Sequence, residues 1–491
     1  MSEFGGPVDA PRAPFAIMAA VEAVAARHPL RPALIHRGGA VVYGDLARQV
    51  RALAAQFARA GLGPGDTVGI TLRDDLVNIL SALALIRLGC RQVALPARDP
   101  APLREDLVRR LSVAAVLGDE AADARGGAAL VMPDIDAARA APLHDAPPPP
   151  GVAVLVVGTS GTTGRPKLMA VDEATLIDRS ALLHAHGGVF LHALGFDGNH
   201  GKRLTLRNLV SGGTEVLAEG APPEALAALA GRFDIRRMHL QPQAAAAVLA
   251  QRRRGGPAWP PGLRLFTTGT RIAQPFRLEL QAVLGVEFHV QYGTTEAGMV
   301  SLAGPADHAG HADTVGRVFP GIDVSVVDDD GREVPRGTDG LLGFRSAGAV
   351  RGYIDDPAAD ARFFPGGWFR PGDIGRIDAS GELFVVGRRD DMMTLGVIKI
   401  FPAEIEAVAE GFPGLRDCAA FALPSAGLGE IPVLAVVPDA GFDAQLLLVL
   451  CRERLGVRAP RRIVTLDTLP RNAAGKVMRR RLPQLSGLAP G

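Results

Sequence analysis

The chain has 491 residues, too many for one ordinary hydrophobic core, so two or more domains are expected. Its hydrophobic fraction of 47% argues against extended disorder, and 53 basic against 52 acidic residues leave a net charge of +1. That balance gives no reason to expect nucleic acid or an anionic membrane as a partner.

Three cysteines, Cys90, Cys418 and Cys451, form no Cys-x-x-Cys pair and no disulfide framework, which suits a reducing cytoplasm. The first residues carry no basic segment followed by an apolar one, so no secretory leader is expected. The longest apolar stretch, Ile79 to Ile86, is far shorter than the roughly 20 residues of a membrane span.

In chain order, Ala47 to Ala60 has apolar positions at helical spacing and stops at Gly61, Gly63 and Gly65. Thr67 to Leu72 reads as a buried strand and Leu76 to Leu88 as the next helix. Strands alternating with helices predict a parallel sheet covered on both faces. The proline-rich residues 141–151 read as a surface connection. Val152 to Val157 has the continuous β-branched pattern of a strand buried on both sides. Farther on, Val324 to Val327 reads as a strand among Asp-Gly turns at Asp330-Gly331 and Asp339-Gly340. Near residue 388 the pattern changes. A helix start at Pro402 to Glu410 and strands at Cys418 to Leu423 and Val433 to Val437 predict a small separate α+β domain.

Directly after the buried strand stand Thr159, Ser160, Gly161, Thr162, Thr163, Gly164, Arg165, Pro166 and Lys167. Two glycines let the backbone turn tightly and aim amides at an anion. Three hydroxyls and the lysine charge add to that, which suits a polyphosphate. An ordinary polar loop is the bland alternative, and the Walker order Gly-Lys-Ser/Thr is absent.

This loop resembles the Ser-Gly-Thr-Thr-Gly-x-Pro-Lys signature of the adenylate-forming superfamily of acyl-CoA synthetases, peptide-synthetase adenylation domains and luciferases. Further segments match in order: Gln291 to Glu296, Gly340 to Phe364 with Arg351-Gly352-Tyr353, Trp368 to Asp373, Gly387 to Asp391, Pro402 to Glu406, and Pro470 to Lys476. The resemblance covers nearly the whole chain. It implies a large N-terminal α/β region with mostly parallel sheets, residues 1–388, and a small mobile C-terminal α+β domain, residues 389–491.

The implied reaction is attack of a carboxylate on the α-phosphorus of ATP, with pyrophosphate leaving. Two anions must meet, so charge has to be neutralised and geometry held. By resemblance, Thr159 to Lys167 grip the β- and γ-phosphates, Thr295 bonds the α-phosphate, and Glu296 holds Mg²⁺. Tyr292 offers a ring face to adenine beside Gly293 and Thr294, with the Gly269-Thr270 backbone lining the same site. Asp373 would accept from the ribose hydroxyls, with Arg388 nearby; a turn aspartate is its bland reading. Lys476 would bridge the substrate carboxylate and the α-phosphate, the alternative being a solvated lysine beside Arg479 to Arg481. Asp390 occupies the hinge position.

Three departures bear on substrate and acceptor. Leu168 follows the loop lysine where glycine is usual. Leu395-Gly396-Val397 places a valine where a pantetheine arm would enter, and Thr394 stands where many relatives carry lysine. Phe196, Asp197 and His200 mark the acyl pocket. Phe-Asp there is similar to amino-acid-activating domains and implies an acid with an amino or hydroxyl group, an amino acid or substituted aromatic acid. A loop aspartate facing solvent is the alternative.

The expected activity is ATP- and Mg²⁺-dependent activation of a small carboxylic acid, followed by transfer to CoA. The alternatives are transfer to an amine or to a carrier protein, acting in trans because none follows Lys476, or a non-catalytic nucleotide-binding relative. The scattered histidines, His308 and His311 among them, do not suggest a metalloenzyme.

Overall fold

A computed structural model of the chain describes residues 17–123, 126–140, 143–146, 153–159, 166–177, 188–218, 220–269, 271–272, 274–311, 313–395, 398–425, 429–472 and 475–488. The helix expected from Leu76 to Leu88 runs Asp75–Leu88. The Asp74 carboxylate accepts from the Val77 amide at its start, and Gly89 ends it at φ 74°. Every side chain from Asn78 to Leu88 is buried, so this helix lies between layers rather than on the surface. The helix expected from Ala47 begins earlier, at Tyr43, and ends at Arg59. Its first residue is anchored by tertiary contacts that spacing cannot reveal: the Tyr43 hydroxyl meets the carbonyls of Leu209 and Gly213 at 2.9 and 2.7 Å.

Among the described residues the strands form sheets of thirteen, six and five. The six-stranded sheet runs, edge to edge, through Ala129–Val131, Ala115–Leu117, Thr67–Ile70, Arg91–Ala94, Ala153–Thr159 and Lys167–Asp172. All its pairings are parallel except the last, in which Thr159 stands opposite Lys167. The strand after the proline-rich connection is therefore an interior strand with a neighbour on each side, as its unbroken apolar run predicts.

The large sheet has a parallel half, ending in Arg264–Thr267 and Glu287–Thr294. From there it continues antiparallel through Gly298–Ala303, Thr314–Val318, Glu382–Arg388, Asp373–Ile377, Gly340–Ser346 and Ile322–Val327. The turn expected at Asp339-Gly340 lies earlier. Gly337, at φ 86°, makes it, and Gly340 already opens a strand.

The third sheet starts at Met393, just beyond the last residue of the Glu382–Arg388 strand. Helices Pro402–Ala409 and Ala444–Leu455 cover one face through Ile405, Leu447 and Cys451. Leu469 and Leu482 pack on the other face against Phe421 and Val433. Among the described residues the three cysteines are unbonded to one another. No helix there is long and apolar enough to cross a membrane.

The first described helix, Ile17–Arg27, is tied to the six-stranded sheet by Glu173, whose carboxylate accepts from the Ile17 amide at 3.2 Å. Burial raises the Glu173 carboxyl to about 7 from its ordinary 4.5, against the opposing pull of the Ile17 hydrogen bond. With the folded pKa above the unfolded one, this group's contribution to stability falls as pH rises from the unfolded to the folded value. Glu173→Gln keeps the acceptor without the charge. It is expected to raise stability at pH 8 by about 1–3 kcal/mol and to flatten the slope across the range between those pKa values, read by urea unfolding.

Candidate active site

The turning point of the large sheet, where Glu287–Thr294 changes from a parallel to an antiparallel neighbour, carries the expected Tyr292, Gly293 and Thr294, with Thr295 and Glu296 directly after them. Its register shifts between Tyr292 and Gly293, a bulge that re-aims the strand end. Gly293 is needed there because a Cβ would stand 2.4 Å from the Gly298 carbonyl oxygen. Asp373 and Arg388 are direct cross-strand partners in the antiparallel pair Asp373–Ile377 and Glu382–Arg388, farther along the same sheet. Asp373 Oδ1 accepts from Arg388 Nη1 at 3.4 Å, and Oδ2 accepts from the Tyr292 hydroxyl at 2.5 Å. Burial first, then the Asp373 charge, hold the Tyr292 phenol well above its usual range. Asp373 is itself buried, and its carboxylate is held from two directions by these contacts.

A second group forms around Glu296. Tyr353 donates its hydroxyl to Glu296 Oε1 at 2.8 Å. The Tyr353 loop is held against the strand Lys167–Asp172, with the Ile354 amide donating to the Leu168 carbonyl at 2.7 Å. Asp360 Oδ1 accepts the Tyr353 amide at 2.7 Å. Lys167 completes the cluster, its Nζ 4.3 Å from the centre of the Phe363 ring. Burial raises the Glu296 pKa, while the Tyr353 hydrogen bond and the charges of Lys167 and Arg388 lower it. A buried carboxylate that is costly to ionise gains from a nearby cation, which fits a hard divalent ion. Among the described residues no three His, Cys, Asp or Glu side chains could hold an ion by themselves. An ion here would need other oxygens, such as nucleotide phosphates.

Beside these groups opens a cavity of about 330 Å³. Gly269, Gly293, Thr294 and Thr295 line one side, and His200, Arg203 and Arg207 of the helix Asn199–Val210 the other. Of its lining residues His200 and His239 are aromatic, and His239 belongs to a stacked row that runs on behind the cavity wall. His239, Phe266 and His289 are in register on adjacent parallel strands. Phe266 stacks between the two imidazoles, with ring centres 5.0 and 4.8 Å apart, and His200 meets His239 edge-on at 5.4 Å.

Two expected pocket residues lie elsewhere, which corrects the reading of Phe196-Asp197. Phe196 is 1% exposed in the core beneath Lys202, whose Nζ is 4.7 Å from its ring. Asp197 forms an ion pair with Arg98 at 2.5 Å and does not line the cavity. A carboxylate already paired with a guanidinium has no need of a substrate ammonium. Asp197→Ala is therefore expected to leave the preference between amino-bearing and plain acids within about twofold, costing at most roughly 1 kcal/mol of stability. A competition assay over both acid classes reads it.

Ser160, Gly161, Thr162, Thr163 and Gly164 lie outside the described residues, as do Thr270, Gly396 and Val397. Thr159 and Lys167, which bracket the loop, face each other across the strand pair. Asp390 sits in the short turn Arg389–Asp391 between the large and C-terminal sheets, 3.6 Å from Arg362 and 4.0 Å from Arg388.

Lys476 is carried on a tight turn. Its amide donates to Asn472 Oδ1 and its carbonyl accepts the Asn472 amide, both at 2.9 Å. Arg471 braces the turn from below, bonded to Asp417 at 2.7 Å. The lysine is half-buried. Burial lowers its pKa, Arg388 and Arg479 lower it further, and Asp391 and Asp373 oppose them. Lys476 of the C-terminal lobe thus feels Asp373 and Arg388 of the large lobe. The Arg388 charge is also felt, more weakly, at Tyr292 and Glu296. Tyr353 falls within the matched segment Gly340 to Phe364, but nothing local in the sequence marks its link to Glu296.

A family model described as AMP-binding enzyme matches residues 21–354, and one described as AMP-binding enzyme C-terminal domain matches residues 404–476. The 2-hydroxy-7-methoxy-5-methyl-1-naphthoate–CoA ligase of Streptomyces carzinostaticus is 29% identical over 496 residues, covering 91% of this chain and 88% of that protein. The o-succinylbenzoate CoA synthetase of Bacillus subtilis superimposes with a TM-score of 0.86 at 22% identity, over 94% of this chain and 97% of its own. The amide bond synthetase McbA of Marinactinospora thermotolerans does so with a TM-score of 0.85 at 26% identity, over 95% and 99%. By family, and by a fold shared along nearly its full length, this chain belongs to the AMP-binding enzymes and is an AMP-forming acid ligase.

Proposed function

We propose that the enzyme condenses an aromatic carboxylic acid with ATP to an acyl-adenylate and then transfers the acyl group to the thiol of CoA. The observation that carries this reading is the approach of the Lys476 turn to the large lobe, through the Gln243 bond to Gly475, which brings Lys476 into the field of Asp373 and Arg388. Both reactants of adenylation are anions, and the site supplies cations where they must meet. The residues divide at Arg388 into an acid- and nucleotide-binding region, 1–388, and a C-terminal region carrying the lysine, with Asp390 as the hinge between them.

In this mechanism Asp373, held by Tyr292 and Arg388, accepts the ribose hydroxyls. Thr295 donates to the α-phosphate, and the Thr159–Lys167 loop holds the outer phosphates. Glu296, oriented by Tyr353, would be the protein ligand of Mg²⁺, which when bound shields phosphate charge. Lys476 brings its ammonium between the substrate carboxylate and the α-phosphate. It neutralises the approach and stabilises the charge that builds there as pyrophosphate leaves.

Support for an aromatic acid comes from the cavity. His200 and His239 bring aromatic rings to its lining, and the volume of about 330 Å³ lies in the range of small-molecule sites. The naphthoate ligase, which shares most of its length with this chain, points the same way. A second reading keeps the adenylate and passes it to an amine. The departure at Leu395-Gly396-Val397 and the likeness to an amide bond synthetase favour it.

The deciding experiment is pyrophosphate release over benzoates, naphthoates, fatty acids and amino acids, with CoA or an amine present. Release restricted to aryl acids, with a thioester as product, is the expected result. Release only with fatty acids or amino acids defeats the substrate assignment, and an amide product with no thioester defeats CoA as acceptor.

A further inference from the structure

The turn that presents Lys476 is gripped from both lobes at a single atom, the carbonyl oxygen of Gly475. Arg471 Nη1, from the same lobe, donates to it at 2.8 Å. Gln243 Nε2, from the large lobe, donates to it at 2.8 Å as well. Gln243 is the second residue of the helix Pro242–Arg253, two positions beyond Gln241, which lines the acid cavity. The bond therefore ties the lysine turn to the helix start that borders the substrate.

A side chain at position 475 would have to push the Gln243 amide aside. Gly475 has φ 77°, and a Cβ there would stand 2.5 Å from Gln243 Nε2. Other contacts join the lobes away from the turn. Arg271 lies 3.7 Å from Glu410, and Asp329 pairs with Arg389 and Lys399 at 3.0 and 3.3 Å. These hold the hinge and the interface rim, whereas the Gln243 bond falls on the residue directly before Lys476.

We propose that Gln243 is a positioning residue for acyl-adenylate formation: its amide docks the Lys476 turn against the cavity mouth and so sets where the ammonium stands. It touches neither substrate nor nucleotide and acts through Lys476. The inference rests on the reading of Lys476 as the adenylating lysine. Loss of one exposed hydrogen bond of this kind shifts a docked–undocked equilibrium by about two- to tenfold.

The chain has four lysines, Lys167, Lys202, Lys399 and Lys476, so amine labelling can be assigned residue by residue. The test compares the full-length enzyme with Gln243→Leu, which keeps bulk and removes the donor. In the first arm, acetic anhydride labelling without substrates is read by peptide mass spectrometry. Lys476 is expected to label about two- to tenfold faster in the variant, with Lys167 and Lys202 unchanged as reporters of the folded large lobe. In the second arm, acid-dependent pyrophosphate release is expected to lose kcat by a similar factor while KM for ATP and for the acid stay the same.

An unchanged Lys476 labelling rate overturns the docking role. Faster labelling with kcat intact overturns its importance for adenylation. The first arm needs no acid, so a failure to find any substrate would count against the proposed activity and leave the labelling result to decide on Gln243.

Discussion

Replacing Lys476 by alanine is expected to cut acid-dependent pyrophosphate release by about 100- to 1000-fold, the usual cost of removing one preorganised charge-stabilising group. The loss should fall on kcat, because the ammonium is needed where two anions approach and adds little to holding either one apart. Lys476→Arg is not expected to rescue it. A guanidinium is planar and more extended than an ammonium, and the turn from Asn472 to Lys476 fixes the reach of the side chain. Stability should change little, since burial already disfavours the charged lysine in the folded protein. Consumption of a chemically prepared acyl-adenylate by the acceptor should remain, because the bond to AMP is already made. Stopped-flow assays of the two steps separate these outcomes. A variant that loses both steps equally would mean that Lys476 serves the fold or the nucleotide rather than adenylation.

Asp373→Ala is expected to raise KM for ATP by about 10- to 100-fold, the equivalent of losing charge-assisted hydrogen bonds to a ribose. It also strands two protein donors. Tyr292, whose hydroxyl bonds Asp373, loses its acceptor in a buried setting, and Arg388 Nη1 loses its carboxylate. Arg388 keeps the Pro371 carbonyl through Nη2, at 2.8 Å, so the guanidinium should stay in place. The unsatisfied phenol is expected to cost about 1–3 kcal/mol of stability. Tyr292→Phe removes the donor and leaves the carboxylate, so it should affect KM for ATP less than Asp373→Ala does. Urea unfolding beside ATP titration reads both quantities. A stability loss with no change in KM for ATP would make Asp373 structural.

Much of this arrangement was written locally in the chain. The helix Asp75–Leu88 was legible because its caps, Asp74 and Gly89, and its apolar run are neighbours in sequence. The strand Ala153–Thr159 was legible because only a strand covered on both faces sustains so unbroken an apolar run. The ordered motifs ending at Lys476 marked which residues to look for. Sequence alone thus determined the fold class, the family and the reaction type.

What the tertiary structure decided is which of those residues meet, and through which atoms. Tyr292 reaches Asp373 across 81 positions, Tyr353 reaches Glu296 across 57, and Gln243 reaches Gly475 across 232. The same packing took Phe196 into the core and gave Asp197 to Arg98, against the pocket role that their neighbouring residues suggested. The physical reason is one of range. Helix caps, glycine turns and apolar periods act within a few residues, so a sequence displays them directly. A hydrogen bond between distant segments exists only once sheets and lobes have stacked in one register, and no local pattern encodes that register.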